Sequence, residues 1–198
     1  PLIPGIEVVG NSNGQRYLAS VSSGGYAEKA VAHKGAIFPI PDNVSDEAAL
    51  CVLIQGTTAW HLLKTMGHLR AGETVLIHAA AGGVGTIAIQ LAKMWGATVI
   101  ASTSSPEKSE LAMSLGADHV ISANSADLAG EIRMANGGKG IEHIVLARQV
   151  QRHTQVRHGD AIAALNGERH LAARQGLHID RAHLGVFAKA IGDDGARD

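Results

Sequence analysis

The stretch "VLIHAAAGGVGTIAIQLAKMWGATVIASTSS", which runs from Val75 to Ser105, decides the fold. It begins with an apolar run, passes through a turn of alanines and glycines, and continues with apolar residues at spacings of three and four as far as Trp95. A short apolar run is typical of a buried strand, and that spacing is typical of an amphipathic helix that packs on a sheet. The stretch therefore predicts a strand, a glycine-rich turn and a helix in succession.

The same alternation continues along the chain. The apolar pattern predicts strands over 74–79, 98–101, 119–121 and 140–147. It predicts helices over 45–66 with a break at Gly56, over 84–95, from the cap residue Ser105 to Leu115, and over 126–135. Strands that alternate with helices form parallel sheets covered on both faces, so we expect an α/β fold with a doubly wound parallel sheet. Three β-rich stretches precede it, at 6–9, 16–21 and 26–32, and predict a small all-β unit.

The turn itself, from Ala79 to Gly85, partly matches the dinucleotide pattern G-x-G-x-x-G. Ala80 replaces the first glycine, whereas Gly82 and Gly85 keep the other two. A glycine at Gly82 lets the backbone approach a pyrophosphate, and one at Gly85 lets helix and strand pack closely. Because the match lies between a predicted strand and a predicted helix, it favours a dinucleotide-binding turn. The alternative is a tight turn that only joins the two elements.

The end of the next strand indicates which dinucleotide binds. A carboxylate at this position would bind the ribose hydroxyls of NAD, but the segment "ASTSSPEK" has none at the strand end. It supplies Ser102, Thr103, Ser104 and the first turn of a helix that contains Lys108. Hydroxyls, free backbone amides and an ammonium group suit a phosphate, so the segment favours NADPH over NADH. The alternative is that Ser105 only caps the helix and that Lys108 is a solvated side chain.

Composition limits the partners and the metal chemistry. The 17 Lys and Arg residues balance the 18 Asp and Glu residues, so no overall field attracts nucleic acid or an anionic membrane. Cys51 is the single cysteine and cannot build a cysteine-based zinc site, so we expect no bound metal. With no long apolar stretch and no pattern of a signal peptide, we expect a soluble, cytoplasmic protein whose partner is a small molecule.

Five motifs together resemble a known family. They are "PGIE" (Pro4–Glu7), "GGYAE" (Gly24–Glu28), "QGTTAWHLL" (Gln55–Leu63), "AAAGGVG" (Ala79–Gly85) and "SLGADHVI" (Ser114–Ile121). In this order they resemble the zinc-independent quinone oxidoreductase and zeta-crystallin group of the medium-chain dehydrogenase/reductase superfamily. The resemblance implies a partial GroES-like β region over 1–44 and a Rossmann-type domain that binds NADPH over 45–147. It also implies hydride transfer from NADPH to an electrophilic quinone, enone or enoyl thioester, and it leaves a homodimer open.

The resemblance also implies a role for individual residues. Thr58 would lie beside the nicotinamide. Gly82, Gly83 and Val84 would contact the pyrophosphate, and Ser104 and Lys108 would contact the 2′-phosphate. The cofactor-binding residues expected on this basis and from the motif are Thr58, Ala81, Gly82, Gly83, Val84, Gly85, Ser102, Thr103, Ser104 and Lys108. No catalytic residue is identified: Tyr17, Tyr26 and His61 are available as proton donors, but each fits a packing or surface position.

The resemblance stops near Ile141. Residues 148–198 are rich in Arg, His, Ala and Gly, a bias that a shifted reading frame gives in a GC-rich gene, and we expect a truncated chain with a divergent tail. Helices are predicted there over 161–175 and 181–191. Two alternatives to an active oxidoreductase therefore stay open: an NADPH-binding protein without turnover, and an inactive fragment.

Overall fold

The computed structural model describes residues 2–145 of the 198-residue chain. The first part is a three-stranded antiparallel sheet in the order β1-β2-β3, formed by β1 (Glu7–Ser12), β2 (Gln15–Ser20) and β3 (Ile37–Pro39). Asn13 and Gly14 form the two-residue loop between β1 and β2, with φ of 52° and 82°. An Asn-Gly pair is the preferred sequence for a hairpin loop of this conformation. The expected all-β unit is confirmed by this antiparallel sheet.

The third strand does not lie where the sequence pattern predicts it. Residues 26–32 form no strand, and their side chains include Tyr26 at 81% and Val31 at 94% exposure. The backbone leading into this segment is bonded elsewhere, since Gly25 donates to Gly5 and Tyr26 donates to Pro4. β2 instead pairs with β3. The prediction of a strand over 26–32 is therefore wrong, because the apolar residues there have no neighbouring strand to pack against.

A long helical segment connects the two sheets. Ser45 caps α1 (Asp46–Cys51) by accepting the Ala48 N–H at 3.2 Å, as the sequence predicts. The helix then continues without the expected break, through a π-helical turn (Val52–Gly56), α2 (Thr57–Trp60) and a second π-helical turn (His61–Met66). Gly56 is absorbed into the first of these wide turns, and the helix ends at Gly67.

The second sheet contains four parallel strands in the order β6-β5-β4-β7. Its strands are β4 (Thr74–His78), β5 (Thr98–Thr103), β6 (His119–Ser122) and β7 (His143–Val145). The helices between them are α3 (Gly83–Met94), α4 (Pro106–Ser114) and α5 (Leu128–Ala135). No helix within residues 2–145 is long and apolar enough to cross a membrane.

Helices cover both faces of this sheet. On one face, Val75 and Ile77 of β4 pack in a core that includes residues of α3 and α4. On the other face, Leu76 and Ile100 pack against residues of α5. The fold is therefore the expected Rossmann-type doubly wound α/β fold, and the strand order reverses between β4 and its two neighbours. In such sheets a ligand binds beyond the carboxyl ends of the strands at this point of reversal.

The element boundaries differ slightly from those expected. β5 extends two residues beyond Ala101, because Ser102 and Thr103 pair with β6. α5 begins at Leu128 rather than at residue 126, because the Asp127 carboxylate accepts the Gly130 N–H at 2.9 Å. The predicted helices over 161–175 and 181–191 lie outside the described residues, as do the last two residues of the predicted fourth strand. The domain boundaries after residues 44 and 147 stay predictions.

Asp118 ties α3, β5 and β6 together. Its carboxylate accepts the Val99 N–H at 2.7 Å and two bonds from Lys93 Nζ at 2.8 Å each. Lys93 also donates to the Ala97 carbonyl at 3.1 Å. Burial raises the pKa of Asp118, but the hydrogen bonds from Lys93 and Val99 outweigh burial, and the pKa falls below its ordinary value of 3.8. The ionised carboxylate therefore stabilises the folded chain.

Substitution of Asp118 tests this anchor. Asp118→Ala removes the acceptor of the Val99 N–H and should lower the free energy of unfolding by about 1 to 2 kcal/mol at neutral pH. Asp118→Asn keeps an oxygen acceptor for Val99 and should lose less. Urea unfolding of the 198-residue chain measures both.

The pH dependence of the same variants supplies the control. Because the folded pKa of Asp118 is lowered, its contribution is fully present above 3.8 and is lost as the pH falls through the folded value. The difference in stability between the parent and Asp118→Asn should therefore shrink as the pH falls below 3.8. A difference that stays constant with pH would contradict the role of the charge.

Candidate functional site

The glycine-rich turn lies at the carboxyl end of β4. After His78 the chain turns sharply at Ala79, whose φ is 49°, and Gly82 N–H donates to the Ala79 carbonyl at 2.8 Å. Ala80 is buried below the turn and donates its N–H to the Ser102 carbonyl at 3.2 Å. Gly82 then caps α3 in an extended conformation. The expected order of strand, turn and helix is confirmed.

Gly85 permits the close approach of α3 to this turn. A Cβ atom on Gly85 would lie 2.5 Å from the Ala79 carbonyl oxygen and 2.6 Å from that of Ala80, which is far inside normal contact distance. Gly82 and Gly83, by contrast, are exposed at the first turn of the helix. The first N–H groups of a helix lack partners within it and carry a partial positive charge. This end of α3 therefore presents backbone donors suited to an anion.

The helical segment from the first half of the chain lies beside this end of α3. Gln55, in the first π-helical turn, places its Cγ 3.1 Å from the position that a Cβ on Gly83 would take. Thr58 follows three residues later in α2, which packs against α3, and its side chain is half-buried. The structure thus brings Gln55 to the glycine-rich turn and places Thr58 on the adjoining helix.

The four polar residues expected beside β5 divide into two pairs. Ser102 is fully buried and Thr103 is nearly so, with the Thr103 hydroxyl 2.7 Å from that of Ser109. Ser104 and Lys108 are exposed, and Lys108 Nζ donates to the Ser104 hydroxyl at 3.3 Å. Only the second pair is open to a ligand in solution. The assignment of all four to cofactor binding stays a prediction.

Two buried side-chain atoms lack a hydrogen-bond partner within residues 2–145. They are the Gln55 Oε1 atom and the Ser102 Oγ atom. A buried polar atom without a partner costs free energy, so such atoms in a folded protein call for an explanation such as a bound ligand. Both belong to residues in contact with the glycine-rich turn: Gln55 packs on Gly83, and the Ser102 carbonyl accepts the Ala80 N–H. Ser102 is fully buried within β5, so its hydroxyl does not mark a ligand site; Gln55 is the half-buried residue of the two and lies beside the turn.

Charges at this edge of the sheet are few. Burial lowers the pKa of His78, so the imidazole at the end of β4 is neutral at physiological pH. Glu107 lies in the first turn of α4, where hydrogen bonding to the Ser105 hydroxyl lowers its pKa and keeps it ionised. No carboxylate lies within β5 itself or at Ser104 and Ser105. The positive charge next to the end of β5 comes from Lys108, in the first turn of α4.

The structure also places the three candidate proton donors and the possible metal ligands. His61 Nδ1 lies 2.9 Å from the Thr65 hydroxyl, Tyr26 is 81% exposed, and Tyr17 lies half-buried in β2. None is identified as catalytic. Within residues 2–145, no group of three His, Cys, Asp or Glu side chains could hold a metal ion.

Sequence reasoning did not single out two residues that lie at or next to the candidate site. Gln55 stood out only as part of a family motif, although a polar residue directly after the apolar run of residues 52–54 is a usable signal. Glu7 likewise stood out only within a motif. Its carboxylate accepts the Ile54 N–H at 3.1 Å, and burial raises its pKa while this hydrogen bond lowers it, with a net rise.

The chain is similar in sequence to a known protein family and to several characterised proteins. Residues 83–151 match the family described as zinc-binding dehydrogenase. The quinone oxidoreductase of Pseudomonas aeruginosa is 40% identical over 116 residues, which cover 59% of this chain and 36% of that protein. A phenolphthiocerol/phthiocerol polyketide synthase of Mycobacterium tuberculosis is 36% identical over 155 residues, which cover 77% of this chain and 7% of that protein.

Among solved structures, the quinone oxidoreductase of Thermus thermophilus is similar, with a TM-score of 0.66 and 36% identity. The match covers 84% of this chain and 51% of that one, and that protein was also solved as a complex with NADPH. The chain thus spans about half of this solved relative and 36% of the Pseudomonas enzyme.

These matches and the fold define the class as a Rossmann-type α/β fold with a GroES-like portion at the start, similar to that of the quinone oxidoreductases. Within that class, they support a zinc-independent, quinone oxidoreductase-like protein of the medium-chain dehydrogenase/reductase superfamily. The resemblance expected from the five sequence motifs is thereby confirmed.

A matched pair of glycine substitutions tests the geometry of the turn. Gly85→Ala forces a Cβ against two carbonyl oxygens and should lower the free energy of unfolding by about 1 to 3 kcal/mol. Gly82→Ala meets only the Ala79 carbonyl oxygen, at 3.1 Å, and its φ is −86°. It should cost about 1 kcal/mol or less, the usual effect of alanine at a helix cap. Equal costs in urea unfolding would contradict the close approach at Gly85.

Proposed function

We propose that this chain belongs to an NADPH-dependent oxidoreductase that transfers a hydride to a quinone, an enone or an enoyl thioester. The observation that carries the proposal is the exposed amino end of α3 beside the glycine-rich turn, at the point where the strand order reverses. A dinucleotide's pyrophosphate suits this position in folds of this type. The solved complex of the Thermus relative with NADPH supports the choice of cofactor.

The residues present fit such a cofactor. We assign the pyrophosphate to the turn and the first residues of α3, namely Ala81, Gly82, Gly83, Val84 and Gly85. We assign the nicotinamide to the neighbourhood of Thr58. Support comes from the exposure of Gly82 and Gly83 at the amino end of α3 and from Gln55, whose side chain packs against Gly83.

Selectivity for NADPH is assigned to the end of β5. We propose that Ser104 and Lys108 bind the 2′-phosphate, since both are exposed and Lys108 is a cation on the first turn of α4. Ser102 and Thr103 lie below them in the strand and would complete the floor of this subsite. The ionised Glu107 on the same turn opposes a phosphate, so the ammonium of Lys108 is needed to offset it.

When bound, NADPH supplies the hydride of the proposed reaction. The chain's own residues bind the cofactor, fix its position and keep water from the buried side of the site. Positioning of this kind is a large part of the catalysis in hydride transfer. The proton that the reduced acceptor needs comes from a side chain or a water that we leave unassigned.

The second candidate function is NADPH binding without turnover, and an inactive fragment is a third. Both alternatives stay open because the chain spans about half of its solved relative. The proposal leaves open which acceptor is preferred, because the relatives differ. The Pseudomonas relative is a quinone oxidoreductase and the Mycobacterium relative is a polyketide synthase. We also propose that the protein is cytoplasmic and that it forms a homodimer.

A pair of lysine substitutions tests the choice of cofactor. Lys108→Met should weaken NADPH binding about tenfold, because it removes a charged partner of the 2′-phosphate. NADH affinity should stay unchanged. Lys139→Met is the matched control, since Lys139 lies on the loop before β7, which is two strands away from β5 in the sheet. Fluorescence titration measures each affinity, and an equal effect of Lys108→Met on NADH and NADPH would overturn the assignment.

Turnover separates the candidate functions. The 198-residue chain should oxidise NADPH when supplied with a simple quinone, an enone or an enoyl thioester, as followed by the loss of NADPH absorbance. Saturable binding with no oxidation by any acceptor would favour the binding protein. No saturable binding would favour the inactive fragment.

A further inference from the structure

Glu7 reaches out of the first sheet to the helical segment that borders the glycine-rich turn. It is the first residue of β1, and its Oε1 atom accepts the backbone N–H of Ile54 at 3.1 Å. The two residues are 47 positions apart in the sequence. The bond therefore joins the antiparallel sheet to the first π-helical turn (Val52–Gly56).

This π-helical turn is held from both ends. In a π-helical turn the hydrogen bonds skip one residue more than in an α-helix, and the irregular backbone depends on added partners. Glu7 supplies one such partner at Ile54. Thr57 supplies others, since its hydroxyl donates to the carbonyl of Leu53 and lies 3.2 Å from that of Ile54. Fixed backbone positions thus flank Gln55 on each side.

Gln55 lies directly against the start of α3. Its Cγ, Nε2 and Cδ atoms are 3.1, 3.9 and 4.0 Å from the position of a Cβ on Gly83. The carboxamide therefore covers the first residue of α3, and its oxygen is buried without a partner among residues 2–145. The two ends of a glutamine amide are interchanged by a simple flip. In the orientation that the structure shows, the oxygen is the buried end, and the Nε2 group, 3.9 Å from the same position, is the donor that the side chain offers to an anion at this helix end.

We infer that Glu7 is a positioning residue for the cofactor: through the Ile54 backbone it holds the Gln55 carboxamide over Gly83, where the amide donates to the pyrophosphate. The inference rests on the proposed function, since it names a further donor at the same site. It adds a side-chain amide to the backbone amides of α3. It also makes the first sheet part of the cofactor site, because β1 carries the carboxylate that fixes this amide.

The test compares four variants in the 198-residue chain. Glu7→Ala removes the acceptor, Glu7→Gln keeps an oxygen at the same place, and Gln55→Leu removes the amide while keeping the bulk. Glu28→Ala is the control, an exposed glutamate in the same part of the chain. NADPH affinity is measured by fluorescence titration, unfolding by urea, and exchange of the Ile54 amide by hydrogen–deuterium exchange without cofactor.

Glu7→Ala and Gln55→Leu should each weaken NADPH binding about 3- to 10-fold, the usual effect of one lost hydrogen bond. Glu7→Gln and Glu28→Ala should stay within about twofold of the parent. The double variant Glu7→Ala/Gln55→Leu should bind no more weakly than Gln55→Leu alone, since Glu7 acts through Gln55. Exchange of the Ile54 amide should be faster in Glu7→Ala and unchanged in Glu7→Gln.

Additive losses in the double variant would overturn the inference, because they would show that Glu7 does not act through Gln55. Unchanged Ile54 exchange in Glu7→Ala would overturn it as well, because it would show that the carboxylate does not hold this amide. Failure of the parent chain to bind NADPH is a different outcome. It would overturn the proposed function, and with it the cofactor role of Gln55, while the exchange result would still decide whether Glu7 fixes the turn.

Discussion

The close approach of α3 to the end of β4, at Gly85, is the contact on which the rest of the structure depends. A side chain there would collide with the carbonyl oxygens of Ala79 and Ala80. Without one, the helix begins directly against the buried strand, and its cap residue Gly82 and first residue Gly83 stay exposed. The same contact thus closes the core on one face of the sheet and turns unpaired backbone donors toward solvent.

The polar groups around this helix end form a site whose parts come from three regions of the chain. The glycine-rich turn provides backbone donors, the end of β5 with α4 provides Ser104 and Lys108, and the π-helical turn provides Gln55. The atoms of Gln55 and Ser102 that are buried without a partner in residues 2–145 lie beside the first region. We propose that a charged dinucleotide extends from the turn toward β5, because a turn that only joins two elements needs no open donors.

Local sequence signals predicted most of the strands of the parallel sheet and the ends of several helices. The caps at Ser45 and Ser105 and the stop at Gly67 act within one helical turn, so they can be read from neighbouring residues. The strand expected over 26–32 fails because pairing is a long-range property: Tyr26 and Val31 have strand-like character but no neighbouring strand. The π-helical turn that carries Gln55 was missed for the same reason. Its Ile54 N–H is bonded to Glu7, which lies 47 residues away, and no local pattern encodes that contact.

The amino end of α3 is proposed to bind NADPH. Isothermal titration calorimetry of the unaltered 198-residue chain with NADPH tests it most directly. The account predicts saturable binding to one site per chain, with competition by inorganic pyrophosphate and by adenosine 2′,5′-bisphosphate. Heat that never saturates, or saturable binding that neither compound displaces, would contradict it.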